Sequence, residues 1–145
     1  SRTTPFLTRC HVAMGGNFGF ELDLNKLSGE DLQCARKAVA MVKELRTTMQ
    51  QGTYARLSNP MTNGGSAAWQ FTDQEWLIVC IYHHQAAANQ PPRFIRLTGL
   101  EEEAVYRDDE HNITCSGAAL MGMGLPLPYI RGDFKTLLYC FRKIS

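Results

Sequence analysis

The sequence predicts a mainly β chain with one long helix, in which the closing strand, loop and helix of a larger α/β unit precede an antiparallel β-sandwich. Three observations carry this. Apolar residues recur every three or four positions over one stretch only, residues 29–51. From residue 53 onward the period shortens, and β-prone segments alternate with clusters of Gly, Pro, Asn and Asp. Ahead of residue 28 stands one apolar run with a glycine-rich turn behind it and no second strand to pair with.

The first element is the run His11-Val12-Ala13-Met14, followed by Gly15-Gly16-Asn17-Phe18-Gly19-Phe20 and then Glu21-Leu22-Asp23-Leu24. It reads as a strand entering a turn. Ser28 and Asp31 next give a capping signal, because the Ser hydroxyl can accept a backbone N–H left free at a helix start. Leu27 and Leu32 flank it at hydrophobic-staple spacing. Leu32, Ala35, Val39, Val42, Leu45 and Met49 then form the stripe expected to face inward, and Gly52 stands where helices end. Glu30, Lys37, Lys43 and Arg46 mark the water-facing side.

Seven segments read as strands: Tyr54 to Leu57, Ala67 to Phe71, Trp76 to His83, Phe94 to Leu97, Val105-Tyr106, Ile113 to Cys115 and Phe134 to Phe141. Short strands punctuated in this way build sandwiches. The tightest hairpin is expected at Thr72-Asp73-Gln74-Glu75, between strands bearing Trp69 and Trp76. The expected units are residues 1–52 and residues 53–145, with no repeat or low-complexity linker.

Composition narrows the function. The chain has 145 residues, 44% of them apolar, and 15 basic against 14 acidic side chains give a net charge of +1. A core is affordable at that length, and neither nucleic acid nor an anionic membrane is an expected partner of so even a charge balance. No apolar run reaches the roughly 18 residues that span a bilayer. No signal peptide is expected from these residues, and Ser at position 1 in place of Met is read as a sign of a longer parent. Five cysteines, Cys10, Cys34, Cys80, Cys115 and Cys140, are odd in number and widely spaced, which favours buried thiols in a reducing cytoplasm over disulfides or zinc.

Candidate chemistry is sparse. Glu21 and Asp23 are close acids that would lie roughly 7 Å apart on an extended strand, a separation compatible with a glycosidase pair. Acids just ahead of a helix more often cap it or face water. His83 and His84, with His11 and His111, are possible metal ligands, but adjacent strand residues point to opposite faces, so no metal is expected. Gly15 to Gly19 lacks the Lys and Ser/Thr of a phosphate loop, and its glycine spacing differs from the dinucleotide fingerprint. Arg131-Gly132-Asp133 reads as a turn. Trp69 and Trp76 could stack on sugar rings, though apolar positions on strands more often face the core.

One stretch resembles a known family. Thr8 to Leu24, with Thr8-Arg9, His11-Val12-Ala13-Met14 and Gly16-Asn17-Phe18-Gly19-Phe20-Glu21-Leu22-Asp23-Leu24, is similar to a segment of microbial α-galactosidases of glycoside hydrolase family 36, the melibiose- and raffinose-cleaving enzymes. Later features agree: Gly52 to Leu57, Ala67-Ala68-Trp69, Pro91-Pro92-Arg93, Arg96 to Leu100, Val105-Tyr106, Ala119-Leu120-Met121 and Gly132-Asp133-Phe134. The wording departs at Cys10, Gly15 and Phe20, the last replacing a Tyr and its hydroxyl.

The resemblance implies the C-terminal part of a retaining α-galactosidase that releases terminal α-linked galactose. Residues 1–52 would be the last strand, loop and helix of a (β/α)8 barrel, and residues 53–145 a supporting antiparallel β-sandwich. Two Asp side chains on earlier barrel strands would do the chemistry. Neither motif occurs here, so this chain alone is expected to be inactive, with no catalytic residue and no cofactor. Gly16, Asn17, Phe18 and Gly19, on a loop at the C-terminal end of a barrel strand, would line the rim of the substrate pocket. The parent is expected in the bacterial cytoplasm, homo-oligomeric as a tetramer, with α-galactoside oligosaccharides as partners of its barrel. The rival reading is a non-catalytic carbohydrate-binding or interaction sandwich.

Overall fold

A computed structural model describes residues 4–59, 61, 65–86 and 88–145. The chain forms α1 (Phe6–Ala13), a short 3-10 turn (Leu24–Lys26), α2 (Gly29–Gln51), β1 (Thr53–Ser58), β2 (Ser66–Thr72), β3 (Trp76–His83), β4 (Arg93–Ile95), β5 (Val105–Asp108), β6 (Ile113–Ser116), α3 (Gly117–Gly122), β7 (Leu125–Leu127) and β8 (Lys135–Lys143).

Six strands make one sheet in the order β1-β2-β3-β8-β5-β6, and β4 pairs with β7 in a second. Every described pairing is antiparallel. Strand alternation divides the large sheet into two buried faces. Leu77, Val79 and Ile81 of β3, with Tyr139 and Phe141 of β8, pack against Leu97, Leu100, Leu120 and Leu125 from the small sheet, α3 and their connections. Ile78 and Cys80 of β3, with Leu138 of β8 and Phe71 of β2, instead meet Met14, Val42 and Leu45 from the helical layer. The continuous apolar run Leu77 to Ile81 is what a strand buried on both faces requires.

The capping reading of α2 holds, since the Asp31 N–H donates to Ser28 Oγ at 3.1 Å. Its inward face is turned slightly from the expected stripe: Ala35, Ala38, Val42, Leu45 and Thr48 are buried, while Leu32, Val39 and Met49 are half-buried. Thr48 is tolerated inside because its hydroxyl donates to Asp73 Oδ2 at 2.6 Å. Asp73 also caps the β2–β3 hairpin at the expected place, with Oδ1 accepting from the Glu75 and Trp76 N–H groups at 2.8 Å each.

The N-terminal expectation is corrected. His11 to Met14 is no strand: it is the last turn of α1 and the residue after it. A lone strand would leave a row of backbone groups without partners, whereas a helix satisfies its own. Phe6, Cys10 and Met14, spaced by four, supply the inward stripe that helical burial needs and are all buried. Two small elements also escaped the sequence reading. In β7 the middle residue is Pro126, admissible because the two-stranded sheet is all edge, and α3 is a short capped helix in which Ser116 Oγ accepts from the Ala119 N–H at 3.1 Å.

Candidate functional site

The loop Gly15 to Gly19 leaves the C-terminal end of α1. The Gly15 and Gly16 N–H groups still donate back to the Val12 and Ala13 carbonyls, at 3.3 and 3.1 Å, so the chain uncoils gradually. None of Gly15, Gly16 and Gly19 adopts a positive φ, and a Cβ on Gly16 or Gly19 would crowd nothing. Backbone conformation therefore does not demand these glycines. They keep the loop bare of side chains.

An aromatic column anchors the loop to α1. The Phe18 ring stands edge-on to Phe20 at 5.0 Å, Phe20 stacks on Phe6 at 5.9 Å, and the Arg9 guanidinium covers the other ring neighbour of this column, Phe6, at 5.1 Å. Phe20, at the position where the resemblance has Tyr, is thus held by ring contacts and by packing on the Phe6, Cys10, Ala35 and Ala38 cluster, which need no hydroxyl.

Two concavities flank the loop. One, of about 310 Å³, is lined by Phe6, Arg9, Cys10, Phe18, Gly19 and Glu21 among others. The other, of about 140 Å³, lies between the loop and α2 and is lined by Gly16, Asn17, Phe18, Arg46 and Gln50 among others. Gly16, Asn17, Phe18 and Gly19 therefore share the mouths of two grooves, with Phe18 as the wall between them. Gly16, Asn17 and Gly19 are exposed. The Arg9 Nε is buried without a hydrogen-bond partner in the described structure, beside the larger groove.

The acids near this loop do not form a catalytic pair. Asp23 caps the 3-10 turn, accepting from the Asn25 N–H at 3.1 Å, and ion-pairs with Lys26 at 3.7 Å, while Glu21 is exposed. The histidines are dispersed. His11 Nδ1 shares a hydrogen bond with Thr136 Oγ1 at 2.7 Å, and burial holds its pKa down to about 4. His83 is fully buried against Ser66 Oγ at 2.9 Å, and burial followed by the nearby Arg93 lowers its pKa. His84 is exposed beside Tyr82, and His111 meets the buried Asp108 carboxylate at 2.9 Å. Among the described residues no three His, Cys, Asp or Glu side chains are grouped to hold a metal.

Arg131-Gly132-Asp133 is a turn, with Gly132 at φ +87° and Asp133 Oδ1 accepting from the Ala86 N–H at 2.7 Å. Both indoles are half-buried on the helix-facing side of the large sheet, away from the core between the sheets. Arg142 covers Trp76 at 5.6 Å. Trp69 lies in an open concavity of about 540 Å³ with Thr8, Val12 and Tyr82. Sequence reasoning missed Arg9 and the Phe6-Phe20 stack, whose partners are set by helical spacing in α1 that a strand reading could not supply.

Residues 66–141 match the model of the glycosyl hydrolase family 36 C-terminal domain. The chain belongs to glycosyl hydrolase family 36. Residues 1–52 match the model of the melibiase family. Among curated relatives, the bifunctional α-galactosidase/sucrose kinase AgaSK of Mediterraneibacter gnavus is 37% identical over 99% of this chain and 16% of its own length. The α-galactosidase AgaA of Geobacillus stearothermophilus is 36% identical over 99% of the chain and 20% of its own length. The solved galactosidase domain of AgaSK superposes with a TM-score of 0.91 at 36% identity, covering 99% of this chain and 20% of that one. That coverage takes in α1 and the glycine loop. The family 36 chain described here thus spans about one fifth or less of the length of these relatives.

Proposed function

We propose that this chain is the C-terminal part of a retaining α-galactosidase acting on melibiose- and raffinose-type oligosaccharides, and that it supports the catalytic barrel without supplying catalytic groups. The observation that carries the reading is the continuous match, across both family models, to relatives that are α-galactosidases. A variant of AgaA has been solved in complex with raffinose, and it superposes on this chain with a TM-score of 0.91 at 34% identity, over 99% of this chain and 20% of that one.

In this reading residues 1–52 are the helix-loop-helix end of the barrel domain, and residues 53–145 the terminal sandwich. The helical layer carries exposed apolar side chains, Leu7, Val12, Leu22 and Leu24 at 47%, 46%, 38% and 52% exposure, which suit contact with the rest of a barrel. Gly16, Asn17, Phe18 and Gly19 are proposed as rim residues, bare enough to let a sugar approach the backbone. The parent is proposed to be a cytoplasmic bacterial homotetramer. A hydrolysis assay tests the division of labour: the purified chain should leave nitrophenyl α-galactoside intact, since both Asp residues of a retaining pair would lie elsewhere. Turnover by the chain alone would refute it.

A further inference from the structure

The five cysteines are all free thiols, but they are not equivalent in position. Cys80 and Cys140 lie on adjacent strands and the same face, yet Cys80 is in register with Leu138 and Cys140 with Ile78. They are diagonal neighbours, and diagonal Cα atoms in an antiparallel pair stand about 7 to 8 Å apart, beyond the span that a disulfide bridges without backbone movement. Cys115 sits on β6 at the sheet edge. Cys10 and Cys34 are different. Cys10 is buried on the inner stripe of α1, and Cys34 packs against the same cluster from α2, beside Ala35 and Ala38. Those two alanines let the helices approach closely, so Cys10 and Cys34 meet one cluster from facing helices. Burial, then the neighbouring Cys34, pushes the Cys10 thiol up to about 12.

Access is asymmetric as well. Cys34 is half-buried and opens onto a groove of about 190 Å³ with Leu7, His11, Lys37 and Thr136, whereas Cys10 is 2% exposed. One thiol can be reached from solvent, and its only bridging partner among the described cysteines stands behind it.

We propose that Cys10 and Cys34 are a thiol pair that closes to a disulfide under oxidation, clamping α1 to α2 at the base of the glycine loop. The proposal does not rest on the α-galactosidase reading. The oxidant is a small disulfide such as oxidised glutathione. The Cys34 thiolate attacks one of its sulfurs, a mixed disulfide forms, and a glutathione thiolate leaves and takes up the proton that Cys34 gave. Cys10 then loses its proton and attacks the Cys34 sulfur, expelling the second glutathione as a thiol. Two protein thiols are oxidised by two electrons in total, and one glutathione disulfide is reduced to two thiols. The new bond encloses residues 11–33, the segment that carries Gly16, Asn17, Phe18 and Gly19.

The test holds the folded chain in reduced and in oxidised glutathione, then quenches it for intact mass and a non-reducing peptide map. The expected product has lost two hydrogens, bears no glutathione, and yields one cross-linked peptide pair containing Cys10 and Cys34. Cys10→Ala should trap glutathione on Cys34, and Cys34→Ala should leave Cys10 unmodified. The oxidised wild-type chain should melt roughly 5 °C or more higher, reversibly on adding reductant, because the unfolded chain is constrained. A stable glutathione adduct on wild-type Cys34, a cross-link between other cysteines, or no oxidation of either thiol would overturn the proposal.

Discussion

His11 Nδ1 and Thr136 Oγ1 stand 2.7 Å apart and tie α1 to β8. A second bond reinforces the tie, since Thr8 Oγ1 donates to the Phe134 carbonyl at 2.7 Å. The N-terminal helix is therefore fastened to the large sheet by polar contacts as well as by the apolar stripe of Phe6, Cys10 and Met14. Both bonds join residues more than a hundred positions apart, and neither could be anticipated from local spacing.

The histidine contact sets a pH dependence. Burial lowers the His11 pKa to about 4, with Glu110 opposing the shift and Lys37 adding to it. The unfolded chain, with an ordinary value near 6.5, binds the proton more readily. Stability from this site is thus present above about pH 6.5 and is lost as pH falls toward 4. The full shift corresponds to roughly 3 kcal/mol, and residual solvent contact reduces it to about 2 kcal/mol. Urea melts between pH 7 and 4 should show the decline, and His11→Gln should flatten it in part, because the buried His83 contributes in the same direction.

Val42→Asp should destabilise the chain by about 3 kcal/mol or more, since it buries an unpaired charge between α2 and the sheet. That corresponds to a melting point lower by roughly 10 °C. Arg46→Asp, one turn further along on the exposed side, should shift it by no more than about 1 to 2 °C. Equal effects would mean that α2 presents a different face inward.

The glycines separate into two kinds, which substitution can distinguish. A Cβ on Gly117 would collide with the Glu101 carbonyl oxygen, backbone that cannot step aside, so Gly117→Ala should cost about 3 kcal/mol. A Cβ on Gly16 would make only an ordinary van der Waals contact with the Ala13 carbonyl, at 3.9 Å, so Gly16→Ala should leave the melting point within about 1 to 2 °C of wild type. Loss of stability at Gly16 would show that the loop is shaped by its backbone and not by a need for bareness.

The proposed supporting role of the sandwich has its own check. Titrating the chain with galactose, melibiose and raffinose while following indole fluorescence should give no saturable change. Trp76 is covered by Arg142, and Trp69 shares its concavity with Thr8, Val12 and Tyr82. Saturation in the millimolar range, abolished by Trp69→Ala without unfolding, would favour a sugar-binding module.

Much of this architecture was legible in the sequence. The α2 periodicity, the Ser28 cap, the Asp73 hairpin and all seven expected strands have their counterparts, because each rests on local propensity reinforced by burial. The miss at α1 has a physical cause. His-Val-Ala-Met is apolar and short, and a run of four residues does not distinguish period 2 from period 3.6. The deciding residues, Phe6 and Cys10, lay outside the window, at helical spacing from Met14. Both Pro126 in β7 and Gly117 at the head of α3 read as breakers, and what overrides that reading is tertiary: an edge pairing with Phe94 and a close pass over Glu101. For the proposed rim loop, the sequence singled out Gly16 to Gly19. It could not show that Phe18 divides two grooves, since the Phe20 ring beside it is itself stacked on Phe6 of α1.

The most direct test of the central claim is a graft. The C-terminal fifth of AgaA is replaced by this chain, and hydrolysis of nitrophenyl α-galactoside is measured for the graft, for AgaA truncated at the same point and for this chain alone. The account predicts turnover by the graft and none by the other two. Turnover by this chain alone, or a folded graft with no activity, would contradict it.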